Sequence, residues 1–302
     1  MTWAPVAAVV IDRALGEPPV RVHPVVWMGA YCTWAGTRLR AVRRPRTQVA
    51  AGAVATAAGA ALAGAAATAV RACLRRLPRV PALLLEGAAL ATLLSARMLE
   101  REVVTVERAL AGGDLAAGRR AVARLVSRDV TALAWVQVRE AALESLAENT
   151  SDSIVAPLWW YALAGLPGAA VYRFVNTADA MWAYRDEVWV WRGRVTAIAD
   201  DVANWWPARL TALLLAPRAF TSRAGAVRAA VTAAVTTSPN AGWPMGALAL
   251  RLGVRLGKTG VYTLHPHGRP ARAADTARAV RAARWATAVA AAGAALATAA
   301  RT

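Results

Sequence analysis

The sequence predicts an all-α fold: a polytopic integral membrane helical bundle with broken or re-entrant segments and with amphipathic helices beside the membrane. Of its 302 residues, 57% are hydrophobic, yet the formal net charge is +18. The arginines gather between long uncharged runs, which is typical of the loops that flank membrane segments. Two of those runs contain prolines and glycines, which interrupt helices. Together these observations favour membrane helices that are not all continuous.

The composition argues against a nucleic-acid partner. Proteins that bind nucleic acid usually become basic by replacing apolar surface, and this chain has neither zinc-finger spacing nor an RNA-binding signature. Cys32 and Cys73 form no metal or disulfide framework. Residues 1–11 lack the basic region of a signal peptide, so we expect them to be retained.

A stiff loop follows the first apolar segment. The prolines and the glycine in residues 16–25 preclude a regular helix there. The loop carries Glu17, Arg21 and His23. A lone histidine is usually structural, but its position makes His23 a candidate substrate contact.

Two membrane helices are predicted next. Residues 48–70 are uncharged for 23 residues, which is enough to cross a bilayer core of ~30 Å. Their alanines and glycines favour close helix packing. Residues 80–96 carry Glu86 as their only charge and form the second predicted helix. Residues 97–139 mix acidic residues with arginines, which predicts amphipathic helices beside the membrane.

Acidic residues are concentrated in one part of the chain. Residues 139–209 hold nine of the 18 acidic side chains, and carboxylates beside apolar segments are costly unless they are solvated, paired or used. Glu140, Glu144 and Glu148 are four residues apart, and Asp152 extends the stripe if the helix continues. Like charges at this spacing repel by ~0.2–0.5 kcal/mol per pair. A solvated face tolerates that repulsion, whereas a cation site exploits it, and we favour a functional role for the C-terminal end of the stripe.

The uncharged run 153–172 poses a topological problem. If it crossed the membrane as a simple helix, Glu148 and Asp200 would face opposite compartments and could not serve one site. The run contains Pro157, Gly165, Pro167 and Gly168. Broken backbone at membrane depth is tolerated where it lines a cavity, so we expect a broken or re-entrant element.

Two further groups of oxygen ligands follow. Asn176 and Asp179 are three residues apart, and Asp200, Asp201 and Asn204 repeat this helical spacing. Mg²⁺ typically takes one or two carboxylates together with substrate phosphates and water. Two arginines can supply forked donors for phosphate or carboxylate, namely Arg185 and Arg209. Five nearby tryptophans predict an interfacial belt, which we favour over a stacking surface for a flat ligand: Trp182, Trp189, Trp191, Trp205 and Trp206.

A polar, proline-bracketed segment at residues 238–245 interrupts the uncharged run 229–250. We interpret it as a second discontinuous element at a buried site. Residues 253–259 resemble a phosphate loop but have three residues between the glycines instead of four, so we reject that reading. Lys258 remains a candidate phosphate contact. We treat residues 1–302 as a single domain, with membrane segments near 48–70, 80–96, 153–172, 210–216, 229–250 and 285–300.

Five motifs in order resemble the CobD/CbiB family of cobalamin-biosynthesis membrane proteins, the adenosylcobinamide-phosphate synthases. The resemblance covers nearly the full length, and each motif alone would be weak. The motifs are Gly16-Glu17-Pro18 with His23-Pro24; Glu148-Asn149-Thr150-Ser151-Asp152 with Ala156-Pro157-Leu158; Asn176-Thr177 with Asp179, Met181 and Tyr184; Asp200-Asp201 with Asn204 and Pro207-Ala208-Arg209; and Ser238-Pro239-Asn240-Ala241-Gly242-Trp243-Pro244-Met245.

The resemblance implies an enzyme that joins a carboxylate of adenosylcobyric acid to (R)-1-amino-2-propanol O-2-phosphate, or a close amino alcohol, as an amide. ATP as co-substrate and Mg²⁺ are expected. The implied catalytic residues are Glu148, Asp152, Asp179, Asp200 and Asp201, with metal at Asp152, Asp200 and Asp201. The implied substrate-binding residues are His23, Asn149, Asn176, Tyr184, Arg185, Asn204, Arg209, Asn240, Trp243 and Lys258.

The resemblance also implies a setting. We expect a multi-pass protein of the inner (cytoplasmic) membrane whose active site faces the cytoplasm, either as a homo-oligomer or in a complex with other cobalamin-assembly enzymes. Lysine is common in the family where Arg185 stands, and arginine cannot act as a base near neutral pH. Two alternatives remain open: a transporter, because broken segments with buried polar groups also mark transporters, and a non-catalytic AmpE-like membrane sensor.

Overall fold

The computed structural model describes residues 2–184 and 186–301, and almost all of its regular structure is helical. Two compact units emerge. Unit 1 comprises Met1–Ser95, Ala156–Asn204 and Ala291–Thr302, and unit 2 comprises Ala96–Val155 and Trp205–Ala290. The helices are α1 (Ala4–Leu15), α2 (Pro24–Ala41), α3 (Pro45–Leu74), α4 (Arg79–Ala91), α5 (Ala96–Ala111), α6 (Leu115–Val122), α7 (Trp135–Thr150), α8 (Ala156–Trp182), α9 (Arg194–Ala203), α10 (Trp205–Leu215), α11 (Arg223–Ala233), α12 (Gly242–Leu252) and α13 (Ala273–Ala299).

Small residues allow the helices of unit 1 to pack closely. A Cβ on Gly59 of α3 would overlap the Phe174 ring of α8, and one on Gly52 would meet the carbonyl oxygen of Arg192. Beside this contact, the hydroxyls of Thr56 and Thr196 hydrogen-bond at 2.7 Å. The expected close packing of the alanine- and glycine-rich helix is therefore present.

Trp182 and Trp189 belong to the core of unit 1, and they are not part of an interfacial belt. Their side chains are buried, their rings stack at 6.4 Å between centroids, and they pack with Cys32, Leu39 and Phe174. The interfacial belt predicted from the sequence is wrong for these two residues. Their position in the sequence does not show that both side chains point into the core.

The expected break in residues 153–172 is confirmed. A π-helical turn, Ser151–Val155, precedes α8, and α8 itself contains a non-helical residue at Gly165, with φ 69° and ψ −161°. Only glycine reaches this combination of angles without strain. Pro167 follows the break, where its missing N–H costs little.

A buried polar network lies against this break within unit 1. The Nε of Arg71 in α3 is 3.2 Å from the Glu86 Oε1 of α4. The Tyr161 hydroxyl of α8 donates to the same carboxylate at 2.9 Å. A Cβ on Gly165 would overlap the Arg71 guanidinium. Glu86, the only charge in its predicted membrane helix, is 1% exposed and is therefore paired instead of solvated.

Unit 2 contains amphipathic helices where the sequence predicts them, namely α5 and α6, whereas their position beside a membrane stays a prediction. Arg139 of α7 donates to both carboxylate oxygens of Glu107 in α5, at 2.7 and 2.8 Å. Helix α13 is attached to α5 through Thr276, whose hydroxyl donates to Glu107 at 2.6 Å, and through Arg284, which donates to Glu100 at 2.8 Å. Helices α10 and α12 pack beside α7 and the π-helical turn.

The all-α prediction needs one correction, because unit 2 also contains a small β-hairpin. Strands β1 (Leu256–Lys258) and β2 (Tyr262–Leu264) pair antiparallel, with Lys258 opposite Tyr262. Gly253 ends α12 in the left-handed region with φ 67°, and the chain then enters β1. A strand, and not a helix, follows Gly253 and contains Gly257, so residues 253–259 do not have the form of a phosphate loop.

Two helical stretches among the described residues are long and apolar enough to cross a membrane: Pro45–Leu74 and Trp135–Trp182. A third exists if α4 and α5 count as one bent span. These stretches include the predicted segments at 48–70, 80–96 and 153–172. Those at 210–216, 229–250 and 285–300 are not among them, and α11 and α12, at 11 residues each, are too short to span ~30 Å alone. The number of crossings, the single domain and the shared compartment of Glu148 and Asp200 stay predictions.

Candidate active site

The glutamate stripe of α7 is buried in unit 2 and paired with basic residues. Glu140 and Glu144 are 7% and 4% exposed. An Nη of Arg128 donates to Glu144 at 3.0 Å, and the Nε of Arg255 lies 4.0 Å from Glu140. The stripe is therefore not a solvated face. Burying several charged groups together costs desolvation free energy even when they are paired. A protein that accepts this cost often uses the groups, so the stripe is a candidate site.

The hairpin brings two further groups to the stripe. Lys258 lies within electrostatic reach of Glu144, and the Tyr262 hydroxyl hydrogen-bonds to Glu144. Burial, followed by the Glu144 charge, raises the pKa of Tyr262 well above its ordinary value, so this hydroxyl stays protonated and acts as a donor. The predicted proximity of Lys258 to carboxylates is thus present within unit 2.

The C-terminal end of the stripe reaches the π-helical turn. Asn149 donates to the backbone oxygen of Ser145 at 3.1 Å and accepts from the Ser153 hydroxyl at 3.4 Å. Glu148 lies within electrostatic reach of Tyr262. Asp152 stands inside the π-helical turn, so the helix continues past Thr150 as expected but with altered hydrogen-bond register. Such turns are frequent at functional sites.

Two of the family-like motifs converge on Arg209 in unit 2. The Arg209 guanidinium lies 3.9 Å from the Trp205 ring centroid and 4.9 Å from that of Trp243. It donates to Asn240 Oδ1 at 3.2 Å and to the Pro239 carbonyl at 3.4 Å. Burial lowers the pKa of Arg209, though arginine remains charged at neutral pH.

The turn at residues 238–241 is fixed by its own side chains. The Ser238 hydroxyl accepts from the backbone N–H groups of Asn240 and Ala241, both at 3.2 Å. A Cβ on Gly242 would overlap the carbonyl oxygen of Ala233. The predicted break between α11 and α12 is therefore present, and it presents Asn240 and Trp243 to Arg209.

Unit 1 contains the other predicted oxygen ligands. Asn176 Nδ2 donates to Asp200 Oδ1 at 3.2 Å, and Asp200 is buried. Arg173 in turn donates to Asn176 Oδ1 at 3.4 Å and to the Ser95 hydroxyl at 3.4 Å. The structure thus joins the 176–179 and 200–204 segments through Asn176 and Asp200, a contact that the sequence did not specify.

Also in unit 1, the carboxylates of Asp179 and Asp201 are close enough to repel one another electrostatically. Asp201 and Tyr184 line the same cavity of about 440 Å³, together with Trp191 and Arg194. Arg185 lies outside the described residues. Asp201 is the member of this pair that lines the cavity, and a cation bound there would relieve its repulsion with Asp179.

Two predicted substrate contacts have structural roles in unit 1. His23 caps α2: its Nδ1 accepts from the backbone N–H of Val25 at 3.2 Å, and its Nε2 lies 3.5 Å from Glu17. Asn204 is buried at the C-terminal cap of α9, where its backbone N–H donates to the Asp200 carbonyl at 2.8 Å. Neither role tests substrate binding, so both assignments stay predictions.

The predicted site residues are divided between the two units. Unit 2 holds Glu148, Asn149, Asp152, Arg209, Asn240, Trp243 and Lys258, whereas unit 1 holds His23, Asn176, Asp179, Tyr184, Asp200, Asp201 and Asn204. Within the described ranges, no group of three or more His, Cys, Asp or Glu side chains is gathered to hold a metal ion. One or two carboxylates suffice for Mg²⁺ when phosphates complete its shell, so the acidic pair of unit 1 fits that ion. The metal assignment itself stays a prediction.

Sequence reasoning missed four residues of these clusters: Arg128, Arg173, Arg255 and Tyr262. Arg173 is the first charge after the uncharged run 153–172, which was an available signal. Arg128, Arg255 and Tyr262 reach the stripe from a loop and a hairpin distant in sequence. No local spacing in the sequence could have identified them.

Fold and site together define a class: a nearly all-helical protein with apolar helices long enough to cross a membrane, and with buried carboxylates contacted by arginine, lysine and tyrosine. The protein family described as CobD/Cbib protein matches residues 5–292. The chain therefore belongs to the CobD/Cbib family.

Several named relatives are similar over most of their length. The "Probable cobalamin biosynthesis protein CobD" of Methanothermobacter thermautotrophicus is 38% identical over 275 residues, covering 90% of this chain and 88% of the relative. The "Cobalamin biosynthesis protein CobD" of Rhizobium meliloti is 38% identical, covering 85% and 82%. That of Klebsiella pneumoniae is 36% identical, covering 85% and 82%. No solved structure matches this chain.

Proposed function

We propose that this chain is an amide-forming ligase of cobalamin biosynthesis. It attaches (R)-1-amino-2-propanol O-2-phosphate, or a close amino alcohol, to a carboxylate of adenosylcobyric acid and so produces adenosylcobinamide phosphate. The observation that carries the proposal is the convergence at Arg209. The motif that ends at Arg209 and the motif at residues 238–245 both belong to the CobD-like resemblance and lie about 30 residues apart. They meet at the Arg209 guanidinium, which lies over two tryptophan rings and hydrogen-bonds to Asn240.

The chemistry requires activation, because an amine and a carboxylate form a salt in water. A carboxylate oxygen of the corrinoid attacks the terminal phosphorus of ATP, which releases ADP and leaves an acyl phosphate. The amine nitrogen then attacks the acyl carbon, the bond to phosphate breaks, and inorganic phosphate leaves. The nitrogen loses one proton to a basic group, for which Glu148 and Asp152 are the candidates in unit 2.

The remaining residues have binding roles in this proposal. Arg209 and Lys258 hold phosphate oxygens, and Arg209 is suited to this because its fork is already oriented by aromatic rings. Asn149, Asn176 and Asn240 orient substrate amides. Mg²⁺ would be held by Asp200 and Asp201 of unit 1 and would neutralise charge on the transferring phosphoryl group. Asp179 joins this set through its interaction with Asp201.

The direct test is a reconstituted reaction. The protein is purified in detergent and supplied with adenosylcobyric acid, the amino-alcohol phosphate and Mg·ATP, and the corrinoids are analysed by mass spectrometry. We expect an amidated corrinoid and one ADP per amide. A working homologue serves as the positive control, and absence of product beside an active homologue would refute the ligase.

Substitutions can distinguish a loss of catalysis from a loss of folding. Asp152→Ala and Asp201→Ala should abolish product while the protein remains monodisperse in detergent. As a control, Glu102→Gln removes a carboxylate of α5 that is paired with Arg124. It should leave the rate of amide formation within about twofold, since ion pairs at the surface contribute little to stability. Full activity in both site variants contradicts the assignment. Corrinoid flux into liposomes without ATP-dependent product would instead favour the transporter.

A further inference from the structure

A second basic feature of unit 2 lies outside every motif described above. A cavity of about 910 Å³ is bordered by the end of α10, the start of α11, the end of α12 and one face of α13. None of the described residues that line it is acidic. Five are arginines: Arg218, Arg228, Arg251, Arg278 and Arg281. We call it the arginine cavity.

Asp275 offsets part of this charge through its ion pair with Arg278, but the arginines otherwise repel one another. Burial, and then the charges of Arg278 and Arg218, lower the pKa of Arg251. The sequence offers little local compensation, since residues 202–274 contain no acidic residue. Bringing like charges together in one concavity costs free energy, and a bound anion offsets that cost.

Two of these arginines are held in position by the surrounding fold. Arg251 donates through Nη1 to the backbone oxygen of Leu215 at the end of α10. Arg278 donates to Asp275 Oδ1 at 3.1 Å, and Asp275 is itself fixed by two hydrogen bonds from Arg269. Their guanidinium groups therefore lose less freedom on binding a ligand than unrestrained surface arginines would.

The remaining walls also suit a phosphorylated organic molecule. Helix α11 begins at Arg223 beside the cavity, and Ser222 and Gly225 at its start are lining residues. Backbone N–H groups at a helix start favour anions. Trp285 and Leu250 supply an apolar side. A volume of this size accommodates a complete small ligand, because ligand sites usually measure ~300–1,000 Å³.

We propose that the arginine cavity is a binding site for a phosphorylated ligand, whose phosphate oxygens contact Arg218, Arg251 and Arg278. Forked guanidinium donors match phosphate better than any other side chain does. The phosphate belongs either to a soluble polyphosphate compound or to the headgroup of an anionic lipid. The site is separate from Arg209 and Lys258, and the proposal does not depend on the amide-forming reaction.

The experiment uses a variant that should leave the fold intact. The side chains of Arg218 and Arg281 make no hydrogen bond or ion pair with any residue that the structure describes, so Arg218→Gln/Arg281→Gln removes charge without removing a structural contact. Arg101→Gln/Arg108→Gln is the matched control, because it removes the same charge from α5 in the same unit. Arg251→Lys is a third variant that keeps the charge but removes the fork.

Two arms distinguish the sources of phosphate. In the first, calorimetry measures inorganic pyrophosphate binding to full-length protein in a neutral detergent. In the second, the protein is reconstituted in nanodiscs of phosphatidylcholine with or without phosphatidylglycerol, and lipids that copurify after re-extraction are quantified by mass spectrometry. Removing charge-assisted bonds from the site should weaken binding by about tenfold or more, whereas the control should stay within about twofold.

Each outcome decides the question. Saturable pyrophosphate binding that is lost in Arg218→Gln/Arg281→Gln and weakened in Arg251→Lys supports a soluble phosphorylated ligand. Retention of phosphatidylglycerol that falls in the same variants, without pyrophosphate binding, supports a lipid headgroup. If the cavity variants and the Arg101→Gln/Arg108→Gln control behave alike in both arms, the proposal is overturned, and the arginines only flank membrane segments.

Discussion

Arg209 shows how much one residue depends on its surroundings. Its guanidinium lies over the rings of Trp205 and Trp243 and is hydrogen-bonded to Asn240 and Pro239. A cation over an aromatic ring contributes ~0.5–1 kcal/mol when exposed and about 2 kcal/mol when desolvated. The sequence predicts that Arg209 donates hydrogen bonds to a phosphate, and the structure adds the contacts that orient its side chain.

Arg209→Lys tests the importance of that orientation. Lysine keeps the charge but loses the planar fork and the stacking, so we expect amide formation to fall about tenfold or more, the equivalent of one charge-assisted bond. The rate is measured in the reconstituted reaction. Arg108→Lys, on the exposed face of α5, is the control. Equal rates for the two variants contradict a role for the fork.

Gly165→Ala tests the break in α8. Alanine at φ 69° is strained, and its Cβ would overlap the Arg71 guanidinium that neutralises Glu86. We expect the free energy of unfolding to drop by about 1–3 kcal/mol. Gly293→Ala is the matched control, because nothing lies within 4 Å of its added Cβ, and alanine in a helix is favoured by up to ~1 kcal/mol.

A buried thiol supplies the measurement for these glycine variants. Cys32 is fully buried, and burial raises the pKa of its thiol to about 12, so it does not react in the folded protein. In a Cys73→Ser background, labelling of Cys32 by a thiol-reactive dye during heating reports unfolding. An unchanged midpoint for Gly165→Ala would show that the break tolerates a side chain.

At the scale of elements, the short hairpin has a larger effect on the candidate site than its six strand residues suggest. It places Lys258 and Tyr262 beside the glutamates of α7, within unit 2. Hairpins of this size are unstable alone, so this one depends on its packing against α7 and α12.

Tyr262→Phe removes the hydroxyl that donates to Glu144 and leaves a buried carboxylate with one donor fewer. We expect a loss of about 1–3 kcal/mol in unfolding free energy, measured by denaturant titration in detergent. Thr263→Ala alters an exposed residue of the same strand and should change stability by less than ~0.5 kcal/mol. Similar values for both variants contradict the hydrogen bond.

The start of α13 depends on one carboxylate. Asp275 is 1% exposed and accepts hydrogen bonds from Arg269, at 2.7 and 2.8 Å, and from the backbone N–H of Arg272, at 2.9 Å. The hydrogen bonds from Arg269 are the main reason that the pKa of Asp275 lies below its ordinary value. Its carboxylate therefore stabilises the folded state only while it is ionised.

This predicts a dependence of stability on pH. A lowered pKa in the folded state means that the stabilisation is present above the ordinary value of about 4 and is lost as the pH falls towards the folded-state pKa. Asp275→Asn should reduce stability at pH 7 by about 1–3 kcal/mol and flatten the decline below pH ~4. Thermal unfolding from pH 3 to pH 7 measures both, and an unchanged acid limb contradicts the prediction.

At the scale of the whole molecule, the question is whether the chain lies within the membrane or on it. A net charge of +18 could attach a peripheral protein to anionic lipids, but salt would screen that attraction, since the Debye length is only ~3 Å at 1 M. Helix α3 extends for 30 residues, including the uncharged run 48–70, and burial of such a helix in hydrocarbon would not depend on salt.

We therefore expect the protein to stay in the membrane pellet after washes with 1 M salt and with alkaline carbonate, and to be released only by detergent. Immunoblots of the fractions, with a peripheral and an integral marker protein, give the measurement. Release by salt alone would contradict membrane insertion and favour surface attachment through the arginines.

The sequence by itself determined the helical class, the long apolar helices, the break at 153–172 and the break at 238–245. These features follow from composition, uncharged length, proline and glycine, which act locally along the chain. It also identified the family through motifs in order. The helical spacings of Asn176 with Asp179 and of Asp200 with Asn204 were visible in the sequence, but the contact between Asn176 and Asp200 was not.

Only the tertiary structure decided which charges meet. Arg128, Arg255 and Tyr262 reach the α7 glutamates from segments distant in the chain, and the arginine cavity joins parts of four helices. Such contacts depend on packing, and a carboxylate four residues from another looks the same in sequence whether it is solvated or buried. In the structure Glu140 and Glu144 are buried, and their basic neighbours come from other elements, Arg255 near Glu140 and Arg128 beside Glu144.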